Sequence, residues 1–230
     1  AEAVKKSDIA AVRLDVSSAL RSIGLVMTVS CAVIFVTAPH IAAVVMAGAS
    51  STDIHGLSEV IQMYILALIP YGMLFVIQRT FFAYDDTRTP FFFTVLQISL
   101  FAAGSFVVAF TVPTTSIAAS LALAFTISTL VQVVVGLVVL SRKTGGFEGK
   151  RVAISHLRYA LALVPTILVG WLLLSTNFAA NYVESFAAAL VSFVVIAAAM
   201  CLTFLVTLYL SRSEELTLVV TQLRKRFGRI

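Results

Sequence analysis

Six long apolar stretches govern what this chain of 230 residues can become. Each approaches or exceeds the roughly 20 residues an α-helix needs to cross about 30 Å of hydrocarbon. They run from Ser22 to Ala38, Leu57 to Phe82, Pro90 to Val112, Ser116 to Leu140, Ile154 to Leu174 and Tyr182 to Leu210. A membrane β-barrel would show segments of about 10 residues with alternating polarity, and these runs are continuous. Only 12% of residues are charged, while 60% are hydrophobic. Soluble domains carry about 25% charged residues, so this chain lacks the charge to cover a water-facing surface. The expectation is an all-α integral membrane protein with six transmembrane helices.

Prolines and glycines punctuate the runs. Pro39 is expected to end the first span, with Ile41 to Ala47 adding a short interfacial helix. Pro90 suits the first turn of the third helix, where a missing N–H costs little, and Pro113 closes that helix. Pro70 and Pro165 fall inside the second and fifth spans and mark kinks. The resulting plan has an amphipathic lead-in over 1–21 and four spans within 22–140. A basic loop over 141–153, two further spans within 154–210 and an amphipathic basic tail over 211–230 follow. In the tail, Leu216, Val219, Val220, Leu223, Phe227 and Ile230 repeat at helical spacing, and Ser211 and Glu214 have capping-box spacing. Ile9, Val12, Val16 and Leu20 give the lead-in a weaker stripe of the same kind. Lys5 and Lys6 precede mixed sequence, not the apolar core of a signal peptide, so internal spans are expected to direct insertion.

The 16 Lys and Arg residues fall on alternate connections. Lys5, Lys6, Arg13 and Arg21 precede the first span. Arg79 and Arg88 lie at the second connection; Arg142, Lys143, Lys150, Arg151 and Arg158 lie at the fourth. Arg212, Arg224, Lys225, Arg226 and Arg229 follow the sixth span. The three remaining connections contain none. Cytoplasmic loops are enriched in Lys and Arg, so both termini are expected in the cytoplasm. The net charge of +5 is thereby explained by topology, without a nucleic-acid partner.

One connection is chemically distinct. Gln78-Arg79-Thr80-Phe81-Phe82-Ala83-Tyr84-Asp85-Asp86-Thr87-Arg88-Thr89-Pro90 places two cations and two acids in a short turn between the second and third spans. Asp86 or Thr87 can accept backbone N–H groups, Thr89 can cap the helix that Pro90 opens, and Arg79 can pair with an acid across the turn. A structural clamp and a cytoplasmic gate latch, or a contact for an anionic headgroup, are the alternative readings.

This stretch resembles the Arg-x-Phe-Tyr-Ala-x-x-Asp-Thr-x-Thr-Pro pattern of the MurJ/MviN family of lipid II flippases, within the MOP superfamily. Arg79, Phe81, Ala83 and Asp86-Thr87-Arg88-Thr89-Pro90 carry the match, with Phe82 replacing Tyr. The resemblance implies the C-terminal part of a fourteen-helix transporter, covering spans nine to fourteen. A ninth span must run outward if the N-terminus of such a protein is cytoplasmic, in agreement with the charge pattern. It further implies a bacterial cytoplasmic membrane location and translocation of an undecaprenyl-linked peptidoglycan precursor by alternating access against an N-terminal lobe. The fifth and sixth spans here would flank a groove for the lipid tail. The family's arginine cluster for the precursor's pyrophosphate has no counterpart in this stretch.

Enzymatic chemistry finds no footing. His40, His55 and His156 lie at separate span ends, and Asp85-Asp86 lacks the further acid a metal-diphosphate site would use. Gly145, Gly146 and Gly149 follow no strand that could build a phosphate loop. Cys31 and Cys201 sit in apolar runs as small hydrophobes, so neither a metal nor a cofactor is expected. Glu59 and Glu184 are near span ends, and Gln62, Gln78, Gln97 and Gln132 are the polar residues at depth. Interhelical hydrogen bonding is the expectation for these, with Gln97 and Gln132 also candidates to line a hydrated cavity. The alternatives to a lipid II flippase are another MOP-superfamily flippase or exporter, and a membrane scaffold recruiting cell-envelope synthesis proteins through its basic face.

Overall fold

The computed structural model describes residues 9–176, 182–183 and 185–211. The tail over 212–230, with its expected capping box, and Glu184, Lys5 and Lys6 lie outside the described residues. Among the described residues, seven α-helices form six candidate spans: α1 (Ile9–Val45), α2 (Ser51–Ile65), α3 (Leu68–Ala83), α4 (Arg88–Thr111), α5 (Ile117–Thr144), α6 (Gly149–Leu174) and α7 (Phe186–Leu210). A 3₁₀ turn at Thr114–Ser116 precedes α5.

Helix α1 organises the bundle. It packs on α2 and α3 along one flank and on α6 and α7 along the other, while α5 covers α2 and α3 and carries α4 outermost. At 37 residues it is about 55 Å long, well beyond the hydrocarbon thickness. The expected break at Pro39 is absent, and the lead-in joins the first span without interruption. Pro39 removes the N–H that would bond the Phe35 carbonyl. Gln62 of α2 donates its Nε2 to that carbonyl at 3.2 Å, so the helix continues through the proline. The lead-in stripe is not a surface face either. Val12, Val16 and Leu20 are buried with Ile77, Phe81, Leu140 and Val152 in a core cluster at one end of the bundle.

The second span, expected as a kinked helix, is interrupted at Leu66 and Ala67. Helix α2 ends at Ile65, and α3 begins at Leu68. A proline ring collides with the carbonyl four residues earlier, and for Pro70 that residue is Leu66, at the break. Backbone groups displaced there are met by neighbours. Ala67 N–H turns to the Tyr64 carbonyl at 3.0 Å. Thr126 Oγ1 donates to the Met63 carbonyl at 2.7 Å, and Cys31 Sγ donates to the Ile65 carbonyl at 3.3 Å. Leu66 and Ala67 keep right-handed helical dihedrals, so the interruption is a two-residue kink within one span, and carbonyls freed there need protein partners because lipid supplies none.

The remaining boundaries shift modestly. The expected loop over 141–153 is mostly helix. Helix α5 runs to Thr144 and ends on Gly145 in the left-handed conformation (φ 69°), where a side chain would be strained. Helix α6 then starts at Gly149. Helix α7 starts at Phe186 because Ser185 accepts the Ala188 N–H at 3.1 Å, leaving Tyr182 and Val183 in a turn. Exposed Phe91, Phe92, Ile98, Phe106 and Phe110 mark α4 as the element facing outward, as lipid contact allows. Small residues set the close crossings. A Cβ at Gly24 would overlap the His156 imidazole, and one at Gly136 would press on Ile77.

Candidate functional site

Antiparallel neighbours bring the basic connections to one end of the bundle, and hydrogen bonds tie them together there. Arg13 Nε donates to the Thr144 carbonyl at 2.6 Å, and Ser17 Oγ donates to Glu148 Oε2 at 3.3 Å, so the α5–α6 turn rests on the start of α1. Tyr159 of α6 donates its hydroxyl to the Arg21 carbonyl at 3.2 Å. Connections at the opposite end, around 46–50, 112–116 and 175–185, contain no Lys or Arg.

The distinctive turn is built around Asp86. Its Oδ1 accepts the Thr89 backbone N–H at 3.0 Å, and its Oδ2 accepts the Thr89 hydroxyl at 2.9 Å. Asp86 thus caps α4 from just outside the helix, and Thr89 donates to it rather than capping. Thr87 holds the boundary position without a side-chain cap bond. Pro90 sits buried in the first turn of α4. Asp85 adopts a left-handed backbone (φ 56°) and, like Thr87 and Arg88, is exposed.

The turn's strongest partner comes from elsewhere. Lys143, at the end of α5, reaches Asp86 Oδ2 at 2.5 Å, while its Nζ lies 5.0 Å from the Phe81 ring centroid and 5.2 Å from that of Tyr84. One ammonium is therefore held by a carboxylate and two aromatic rings. Donation from Lys143, followed by the two bonds from Thr89, lowers the Asp86 carboxyl to about 2. It is ionised at neutral pH, and the latch between α3, α4 and α5 is closed.

Arg79 does not make the expected ion pair with an acid across the turn. Its exposed side chain lines a groove of about 530 Å³ between α1 and α3 together with Asp15, Ala19, Phe75 and Phe82. Gln97 Nε2 donates to Ser128 Oγ at 3.2 Å, an α4–α5 packing contact. Gln132 is buried one turn further along α5, on the face carrying Gly136. Neither lines the Arg79 groove. Among the described residues no group of three or more His, Cys, Asp or Glu side chains could hold a metal. Lys143, Arg13 and Tyr159 are the contributors not singled out by sequence. Only the basic or aromatic character of each was legible, because their partners lie on other helices.

A family profile described as lipid II flippase MurJ matches residues 1–193. No curated protein and no solved structure matches the chain.

Proposed function

This chain belongs to the MurJ family of lipid II flippases, and on that premise we propose that it forms the last six spans of a MOP-type transporter that moves a lipid-linked peptidoglycan precursor by alternating access. The family is one of multi-pass bacterial inner-membrane transporters rather than catalysts. In this reading α1 to α5 complete one lobe and α6 and α7 are its two closing spans. The basic end faces the cytoplasm with both chain termini.

The observation that carries the reading is the Asp86–Lys143 latch inside the profile-matched region. It joins the α3–α4 turn to the end of α5 by an ion pair between residues 57 apart in sequence. Rocking one lobe against another requires a lobe that moves as a unit.

The test is reconstitution of the complete protein in vesicles containing fluorescently labelled lipid II. Protein-dependent movement of label between leaflets is expected. Absence of both binding and movement would overturn the proposal. Movement of a lipid-linked polysaccharide but not of lipid II would reassign the protein within the superfamily.

A further inference from the structure

A second basic feature lies apart from the Asp86 latch, between the start of α1 and the start of α6. Arg21, Lys150, Arg151 and Arg158 line a cavity of about 370 Å³ with Glu148, Ser155 and Ile154. This volume falls within the roughly 300–1,000 Å³ of ligand pockets. Four cations and one carboxylate line the cavity. That carboxylate is already engaged by the Ser17 hydroxyl and by Arg151 at 3.6 Å. The floor is fixed: Arg21 and Ser155 are buried, Arg21 Nε is held at the Ser17 carbonyl at 3.4 Å, and Tyr159 bonds the Arg21 carbonyl. The cavity also sits at the positive end of the 26-residue helix α6, whose dipole favours an anion.

The pocket is continuous with an apolar strip. Ile154 lines it, and Leu157, Leu161, Val164 and Leu168 continue outward along α6, each between 57 and 63% exposed. Spacings of three, four, three and four residues keep them on one helical face. Positive charge at the membrane-surface end of an exposed apolar strip matches a molecule with an anionic head and acyl chains, whereas a free anion would use only the first part.

We propose that this pocket binds the phosphate of an anionic phospholipid from the adjoining leaflet, with an acyl chain lying along Leu157, Leu161 and Leu168. Basic pockets between membrane helices recognise such headgroups electrostatically. The inference does not depend on lipid II transport, and its test reads binding alone.

The purified complete protein is titrated in detergent, at low ionic strength, with dioctanoyl phosphatidylglycerol, dioctanoyl phosphatidylcholine or inorganic phosphate, and bound molecules are counted by native mass spectrometry. Phosphatidylglycerol is expected to bind more tightly than phosphatidylcholine and than inorganic phosphate. The exposed pair Lys150→Gln/Arg158→Gln is expected to weaken phosphatidylglycerol by about 30-fold, from roughly 1 kcal/mol per basic residue. A charge-matched control, Arg88→Gln/Arg142→Gln, is expected to leave affinity nearly unchanged. Leu157→Ser/Leu161→Ser is expected to weaken the lipid but not inorganic phosphate. Equal binding of the two lipids, or equal losses in both charge pairs, would overturn a discrete site. Inorganic phosphate binding as tightly as the anionic lipid would overturn the lipid assignment.

Discussion

At Asp86 three donors converge on one carboxylate, and the chemistry of that residue sets the latch. Asp86→Asn preserves an oxygen for the Thr89 N–H but removes the charge that holds Lys143. Amide hydrogen exchange over 86–91 is expected to accelerate, while the interior of α5 keeps its protection. Lys143→Met should produce the same acceleration from the other side, and the double substitution should add little to either single one, because both remove one shared interaction. The pH dependence has a definite sign. The folded-state carboxyl is lowered from 3.8 to about 2, so its contribution is complete above the ordinary value and is lost as pH falls through the interval down to about 2. Exchange at Thr89 should therefore be flat from pH 7 to 5, after correction for intrinsic rates, and rise only at acid pH in the native protein. Gly24 offers a second single-residue test. His156 Nδ1 donates to the Val152 carbonyl at 2.9 Å, which fixes the ring against Gly24. Gly24→Ala should cost about 1–3 kcal/mol as an overpacking change, read by thermal denaturation, and His156→Ala in the same chain should recover part of it.

At the level of elements, the two early prolines have opposite outcomes for one physical reason. Each removes an N–H and crowds the carbonyl four residues before it. At Pro39 a side chain from the neighbouring helix meets that carbonyl, and α1 stays whole. At Pro70 the helix parts at Leu66, with Thr126 and Cys31 bonding nearby carbonyls. Gln62→Leu should therefore destabilise the protein by about 0.6–1.7 kcal/mol, the range of measured interhelical bonds. In a Pro39→Ala background the loss should shrink toward zero, because the restored N–H serves Phe35. An undiminished loss there would show that Gln62 acts through packing instead. These helices also mark what sequence could disclose. Six spans were legible because crossing hydrocarbon imposes a length and a composition that no loop shares. The Asp86-to-Pro90 spacing was legible because capping is local. Continuity through Pro39 was not, since its remedy sits on α2, 27 residues from Phe35. Lys143 was hidden likewise, 57 residues from Asp86; in sequence it is one cation among five in a basic stretch.

For the whole molecule, the decisive quantity is the direction in which this bundle sits in the bilayer. Arg13, Arg21 and Lys143 gather at one end through contacts between distant parts of the chain, not merely through loop order. Two basic connections and two basic flanking segments, set against three connections without Lys or Arg, are self-consistent only if every span crosses, so a single inverted span would bury several cations in lipid at about 2.5–3.5 kcal/mol each. Cysteines introduced at Thr87 and Thr115, in a background with Cys31 and Cys201 replaced by Ala, measure this directly with a membrane-impermeant maleimide. Thr87 should resist labelling in intact cells and react after permeabilisation, whereas Thr115 should react in both. The opposite pattern would invert the bundle and place the Asp86 latch and the Arg21 pocket in the outer leaflet. The alternating access proposed for this protein adds a second expectation at this scale. A lobe that rocks as a unit keeps its internal latch through the cycle, so protection of Thr89 should be the same with and without lipid II. Exposure along the Arg79 groove should change if that face meets the moving lobe. Protection lost at Thr89 on adding lipid II would instead make the latch itself the moving part.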